Sequence, residues 1–160
     1  MTTAMESRIV SGQEVVEWVA DQIAAAIGDR ADYGPAVGIG VERGHKIIGG
    51  VIYNEWNGSN INIHTAGLPG SGWLSRWYLW CVFDYPFRQI AAKRVTTAHM
   101  KKNVPSSRLA EKLGFKLEHT IKDYYPNDDM VIYGLYKDDC SWLNRGPTHG
   151  KEIAITATAA

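Results

Sequence analysis

The feature that most constrains this chain is a change of period along it. Between residues 36 and 64 the apolar side chains recur about every second residue, in three runs separated only by turn-sized gaps. "AVGIGV" sets Val37, Ile39 and Val41 on one side, and "KIIGGVIYNEW" is a more continuously apolar strand. In "NINIH", Ile61 and Ile63 face one way and Asn60, Asn62 and His64 the other. The short "RGH" joins the first two runs and Asn57-Gly58 leads into the third, which is hairpin chemistry. Three sequential antiparallel strands are expected.

On either side the period lengthens to that of a helix. "SGQEVVEWVADQIAAAIG" carries Val16, Val19, Ile23 and Ile27 at intervals of three or four, with Ser11 and Glu14 as a capping box and Gly28 to close the far end. After the glycine-rich "HTAGLPGSGW", the residues Leu74, Trp77, Tyr78, Cys81, Val82 and Tyr85 form an apolar stripe that Pro86 ends or kinks. "RVTTAHM" alternates as a strand, and "PSSRLAEKLGF" is a short helix with Pro105 near its start and Gly114 at its end. "KLEHTI" and "MVIYGLY" close the sequence of elements around the turn-rich "YPNDD". The order helix, three strands, helix, strand, helix, two strands predicts a mixed α/β sheet in which the later strand–helix–strand passages make parallel crossovers. A chain of 160 residues suits one domain, expected over residues 1–145, with 146–160, "GPTHGKEIAITATAA", as a flexible tail.

Composition excludes some roles. Seventeen basic and seventeen acidic side chains cancel, without a Lys/Arg block, so nucleic acid is not an expected partner. Cys81 and Cys140 make neither a disulfide ladder nor a CxxC pair, no run reaches the length of a membrane span, and "MTTAMESRIV" lacks the apolar core of a signal peptide. A cytoplasmic protein is the expectation. The five histidines show no paired ligand spacing with the cysteines, so no metal is expected.

The segment "RVTTAHMKKNVPSSRLAEKLGFKLEHTIKD" has Asn103, Ser106 three positions on, Glu111 to Phe115 reading "EKLGF", then Leu117 and Glu118. In this it resembles the fifth strand, fourth helix and sixth strand of the GNAT N-acetyltransferase superfamily, closest in style to its ribosomal-protein-type branch. "FDYPFRQIAAKRV" and "VIYGLYKDDCSWL" resemble members often carried by bacterial viruses, and the likeness covers roughly residues 36 to 143. It implies a GNAT fold, a mixed central sheet flanked by helices whose fourth and fifth strands splay apart. Acetyl-coenzyme A would enter that gap as acyl donor and an unidentified amine, on a protein or a small molecule, would approach from the other side. Splayed strands leave backbone N–H and C=O groups unpaired, and an amide-bearing pantetheine arm can satisfy them. A helix amino terminus then suits the diphosphate.

In that family a loop of form Gln/Arg-x-x-Gly-x-Gly/Ala binds the diphosphate. Here Gly70-Ser71-Gly72 stands in the corresponding place, with Gly67 at the Gln/Arg position. The cofactor-side candidates are Ala66, Gly70, Ser71, Gly72 and Trp73, with Arg76 as a substitute cation and Asn103 as a hydrogen-bonding residue. A plain strand-to-helix turn is the competing reading of the loop.

The tyrosine that many superfamily members place on the fourth helix is Ala110 here. The resemblance puts Ser106 beside the coenzyme sulfur as thiol-side donor, although a serine there also suits a helix cap. His64 is the candidate base, on the face of its strand opposite Ile61 and Ile63. Glu55 and Asp84 are runners-up, and His99 suits a structural hydrogen bond better. Glu55, Tyr124 and Tyr125 are acceptor-side candidates. Cys81 reads as core, and Trp73 and Trp80 as surface contacts. An N-acetyltransferase acting by direct attack of the amine on the thioester is the leading expectation. The alternative is a catalytically degenerate GNAT-fold module that binds a host protein, in keeping with Gly67 and Ala110. An exposed last strand or tryptophan surface would also support a homodimer.

Overall fold

The computed structural model describes residues 5–146, so the expected tail lies outside the described residues except for Gly146. The seven-stranded sheet has the order β1-β2-β3-β4-β5-β7-β6. Its strands are β1 (Ser7–Ser11), β2 (Ala36–Arg43), β3 (Lys46–Asn54), β4 (Asn60–Gly67), β5 (Arg94–Met100), β6 (Lys116–Tyr125) and β7 (Asp128–Tyr136). The described residues also form three α-helices, α1 (Gln13–Ile27), α2 (Arg76–Asp84) and α3 (Val104–Leu113). Strands β2, β3 and β4 form the expected antiparallel meander. Among the described residues the one parallel pair is β4 with β5, joined through α2.

The second crossover differs from expectation. The chain leaves β5 through α3 and enters β6, but β7 lies between them and pairs antiparallel with both. A β6–β7 hairpin whose second strand is the more apolar inserts that strand into the sheet and leaves β6 at the edge. Half-exposed Leu117 and the charged residues of β6 fit that position.

Strand β1 carries only Ile9 and Val10 as an apolar signal, and pairs through its whole length with β2. It uses Ser11, which pairs with Ile39, so the expected capping box does not form. Gly12 stands at the helix start with no side-chain cap, its N–H donating to the Gly38 carbonyl at 3.1 Å. Gly28 and Gly114 do close α1 and α3 in the left-handed conformation. Pro86 ends α2 by widening it into a π-helical turn, Tyr85–Gln89.

The two faces of the sheet carry separate cores. The larger, under α2 and α3, gathers Ile39, Tyr53, Ile61, Ile63, Val95 and Leu135 with Tyr78, Phe83 and Phe115. The smaller packs Val15, Val16, Val19 and Ala20 of α1 against Ile52. Each buried valine of α1 contributes about 1.5–3 kcal/mol to holding the helix on its sheet.

Candidate active site

The site is built around a fork in the sheet. The β4–β5 ladder runs only over Asn60↔Arg94, Ile61↔Val95 and Asn62↔Thr96, although both strands continue, to Gly67 and Met100. The register decides which groups the opening leaves bare. The Leu68 N–H donates to the Ile48 carbonyl at 2.8 Å, so bonded pairs with β3 fall on every second residue, and His64 and Ala66 turn their backbone groups toward β3. Thr65 and Gly67 turn theirs into the fork. Ala66, a cofactor-side candidate, instead packs its methyl group against the α1 core.

Beyond the fork, Leu68-Pro69-Gly70-Ser71 make a turn closed by Ser71 N–H to the Leu68 carbonyl at 3.2 Å, with Gly70 at φ 72°. Proline second and a left-handed glycine third are the chemistry of a type II turn. Ser71 therefore does not offer its N–H to a phosphate, as its sequence position suggested. Its Oγ is buried without a partner among the described residues, and its carbonyl accepts from Arg43 Nη1 at 2.7 Å. Gly72, also left-handed at φ 69°, releases the chain toward α2.

Helix α2 begins at Arg76, with Ser75 as its cap and the Ser75 Oγ accepting the Tyr78 N–H at 3.2 Å. Among the described residues the N–H groups of Gly72, Trp73, Arg76 and Trp77 have no protein acceptor, which leaves the start of this helix able to receive an anion. Arg76 is exposed there and lines a cavity of about 270 Å³ between α2 and α3, with Leu74, Leu79, Leu109 and Lys112. Trp73 is not the surface contact expected. Its indole packs on the larger core and lies flat over Gly49 and Gly67, where a Cβ would come within 2.4 Å and 2.0 Å of the ring.

On the same side of the fork stands the start of α3. Asn103 is its cap, its Oδ1 accepting the Ser106 N–H at 3.3 Å, so the capping role considered for Ser106 belongs to Asn103. The half-buried Ser106 makes no hydroxyl hydrogen bond among the described residues. His99 shares a hydrogen bond with Ser107 Oγ at 2.8 Å and stacks on Tyr133, and burial lowers its pKa. Ala110 is buried in the core.

His64 lies on the opposite face, one step beyond the last β4–β5 pair on its side of the strand. Its Nε2 is 2.9 Å from Asn54 Oδ1, the Tyr33 ring meets it edge-on at 4.8 Å, and burial lowers its pKa to about 4. Next along this face, Asn62 Nδ2 donates to Glu55 Oε2 at 2.7 Å, and Glu55 itself is held in the left-handed region at φ 55°. Asn60, Thr96 and Arg94 extend the network to Glu118, whose carboxyl is held below its usual range by the Arg94 hydrogen bonds. Tyr124 and Tyr125 belong to β6 rather than to a loop, and meet edge-on at the tip of the β6–β7 hairpin. Asp84 instead pairs with Arg88 at the end of α2.

Sequence reasoning missed Asn54, Tyr33 and Arg43. Asn54 ends an apolar run and, among the described residues, is the one buried polar side chain at a core position, a signal that existed but had no visible partner.

No protein-family profile matches the sequence, and no curated protein matches it. Solved structures do. A variant of the spermidine N-acetyltransferase SpeG from Vibrio cholerae superposes with a TM-score of 0.67 over 88% of this chain and 99% of its own, at 16% identity. A GNAT-family acetyltransferase from Bacillus anthracis gives 0.59 over 85% and 99%, at 14% identity. The Campylobacter jejuni N-acetyltransferase PseH, in complex with acetyl coenzyme A, gives 0.56 over 82% and 99%, at 12% identity. The chain has the GNAT fold, a mixed sheet opened between its fourth and fifth strands.

Proposed function

We propose that this protein is an acetyl-coenzyme A-dependent N-acetyltransferase that moves the acetyl group to an amine by direct attack on the thioester. The observation that carries the reading is the fork, where Thr65 and Gly67 direct unpaired backbone groups into the gap just ahead of a helix start with free N–H groups. The residues present fit the donor. Thr65 and Gly67 would pair with the amides of the pantetheine arm, and the N–H groups of Gly72, Arg76 and Trp77 with the diphosphate, helped by the Arg76 charge. The buried Ser71 Oγ supplies one more unspent polar atom beside them.

The amine approaches from the His64 face. Its nitrogen forms the new C–N bond as the C–S bond breaks. His64, held neutral by burial, accepts the proton that the nitrogen sheds once it becomes cationic. Ser106, whose hydroxyl is uncommitted, donates a hydrogen bond to the departing thiolate. Glu55, on the face it shares with His64, and Tyr124 and Tyr125 at the hairpin tip would contact the acceptor. Within the superfamily the Asn103–Ser106–"EKLGF" arrangement favours the ribosomal-protein-type branch and its phage-carried members. Two buried free cysteines suit the cytoplasm.

A second reading, a degenerate module that binds a host protein, is favoured by two departures: Trp73 covers Gly67, and Ala110 is buried where a tyrosine hydroxyl would serve. Calorimetry with acetyl-coenzyme A separates the two. The enzyme reading expects micromolar binding, followed by thiol release with at least one of three probe amines: spermidine, a lysine peptide, or a peptide with a free amino terminus. Absence of binding to the folded protein would leave the module.

A further inference from the structure

We propose that Asn54 is a positioning residue that holds His64 as its Nε2–H tautomer, so that Nδ1 is the nitrogen offered to the acceptor amine; this rests on the reading of His64 as the base.

The assignment follows from donors and acceptors alone. Asn54 is only 7% exposed, so both ends of its amide must find partners within the protein. Its Nδ2 lies 3.0 Å from the Tyr33 carbonyl, which can only accept; the nitrogen therefore faces Tyr33 and the oxygen faces His64. An amide oxygen cannot donate. The imidazole nitrogen 2.9 Å from it must then carry the hydrogen. A neutral imidazole has one N–H, so once Nε2 is protonated the lone pair resides on Nδ1.

The surroundings keep the ring in that state. Facing His64 are Ile52 and Asn54 from β3, Tyr33 from the segment before β2, and Asn62 and Ala66 from its own strand. The α1 residues packed on this face, Val16, Val19 and Ala20, are apolar. Two charged groups beside these residues are bonded elsewhere, Arg30 to Glu17 and Asp21, and Glu55 to Asn62. Burial is what disfavours the imidazolium, with no carboxylate to restore it. Tyr33 serves twice, its carbonyl orienting the amide and its ring fixing the plane of the imidazole.

The test is a long-range proton–nitrogen correlation spectrum of the nitrogen-15 histidine-labelled protein, followed with pH. The expected result is a protonated Nε2 and an unprotonated Nδ1 on His64 from pH 8 down to about 5. Asn54→Asp keeps an acceptor at Nε2 and adds a charge, so the His64 titration midpoint should rise by about 1 to 3 pH units. The acid limb of kcat with spermidine or a free-amino-terminus peptide should rise with it. A proton on Nδ1 in the unmodified protein, or an unmoved His64 midpoint in Asn54→Asp, overturns the proposal. A raised midpoint with an unmoved rate profile instead upholds the tautomer and removes His64 from the reaction, so the two failures are distinct. A role confined to holding Tyr33 would move neither quantity.

Discussion

Trp73 and Gly67 explain each other. The position that would hold Gln or Arg in the resembled loop is here a strand residue under an indole, with only 2.0 Å between its would-be Cβ and the ring. Restoring the side chain by Gly67→Gln should therefore cost at least about 1–3 kcal/mol, the usual penalty for overfilling a packed site. Much of that cost should disappear when Trp73→Ala is already present, and urea melts of the two single variants and the double variant measure the coupling. Additive costs would mean that the ring does not occupy this place. At His64 the sign follows from burial. Its folded pKa, about 4, lies below the ordinary 6.5, so between those values the unfolded chain binds the proton and the folded one does not. Stability is then lost as pH falls from about 6.5 to about 4, by up to about 3 kcal/mol, and is flat with respect to this group above that window. His64→Gln should remove that part of the acid sensitivity in denaturant midpoints measured across the window. His64 could be singled out as a candidate from strand alternation, and Ser106 only through the resemblance of its motif to the superfamily's. Asn54 could not, because its importance lies in two partners, Tyr33 and His64, 21 and 10 residues away.

Helix α2 carries the most economical test of the donor site. Its first residue, Arg76, is a position where proline is tolerated, because the N–H there has no intrahelical acceptor. Ser75 before it is already extended, at φ −68° and ψ 156°, as a residue preceding proline must be. Arg76→Pro thus deletes one N–H and one charge with little strain. The expectation is a melting temperature within a few degrees of the parent and acetyl-coenzyme A affinity lower by about tenfold, while Arg76→Gln, which keeps the N–H, should lose less. Equal losses in the two variants would assign the whole effect to charge. The helices of this chain were legible because their caps and stripes are local: Gly28, Gly114, and the run from Tyr78 to Val82. Element limits were less so where tertiary pairing overrides a turn-like composition. "TAG" looks like loop but is carried to Gly67 by β3, and Tyr125 looks like turn but pairs with Asp128 of β7. β1 has too little apolar content to announce itself, and exists because β2 offers an edge.

At the scale of the whole molecule the decisive fact is that seven strands form one sheet while the middle of that sheet stays partly unzipped. The halves are fastened on either side of the opening, by β3 on β4 and by β7 on β5. Order of elements predicted the mixed sheet, whereas the place of β7 between β5 and β6 depends on a hairpin's choice of inner strand and has no local signature. The fork also makes an alternating pattern that amide hydrogen exchange can read. His64 and Ala66 donate to β3 and should exchange slowly with or without a ligand, while Thr65 and Gly67, turned into the gap, should exchange much faster in the free protein. Acetyl-coenzyme A should slow Thr65 and Gly67 by at least about tenfold and leave His64 and Ala66 where they are, because its amides would pair only with the outward-facing groups. Uniform slowing across the four residues would indicate general stiffening by a ligand bound elsewhere. Protection of the alternate pair alone would locate the pantetheine arm in the sheet, since a ligand on the helices has no means of telling odd residues of β4 from even ones.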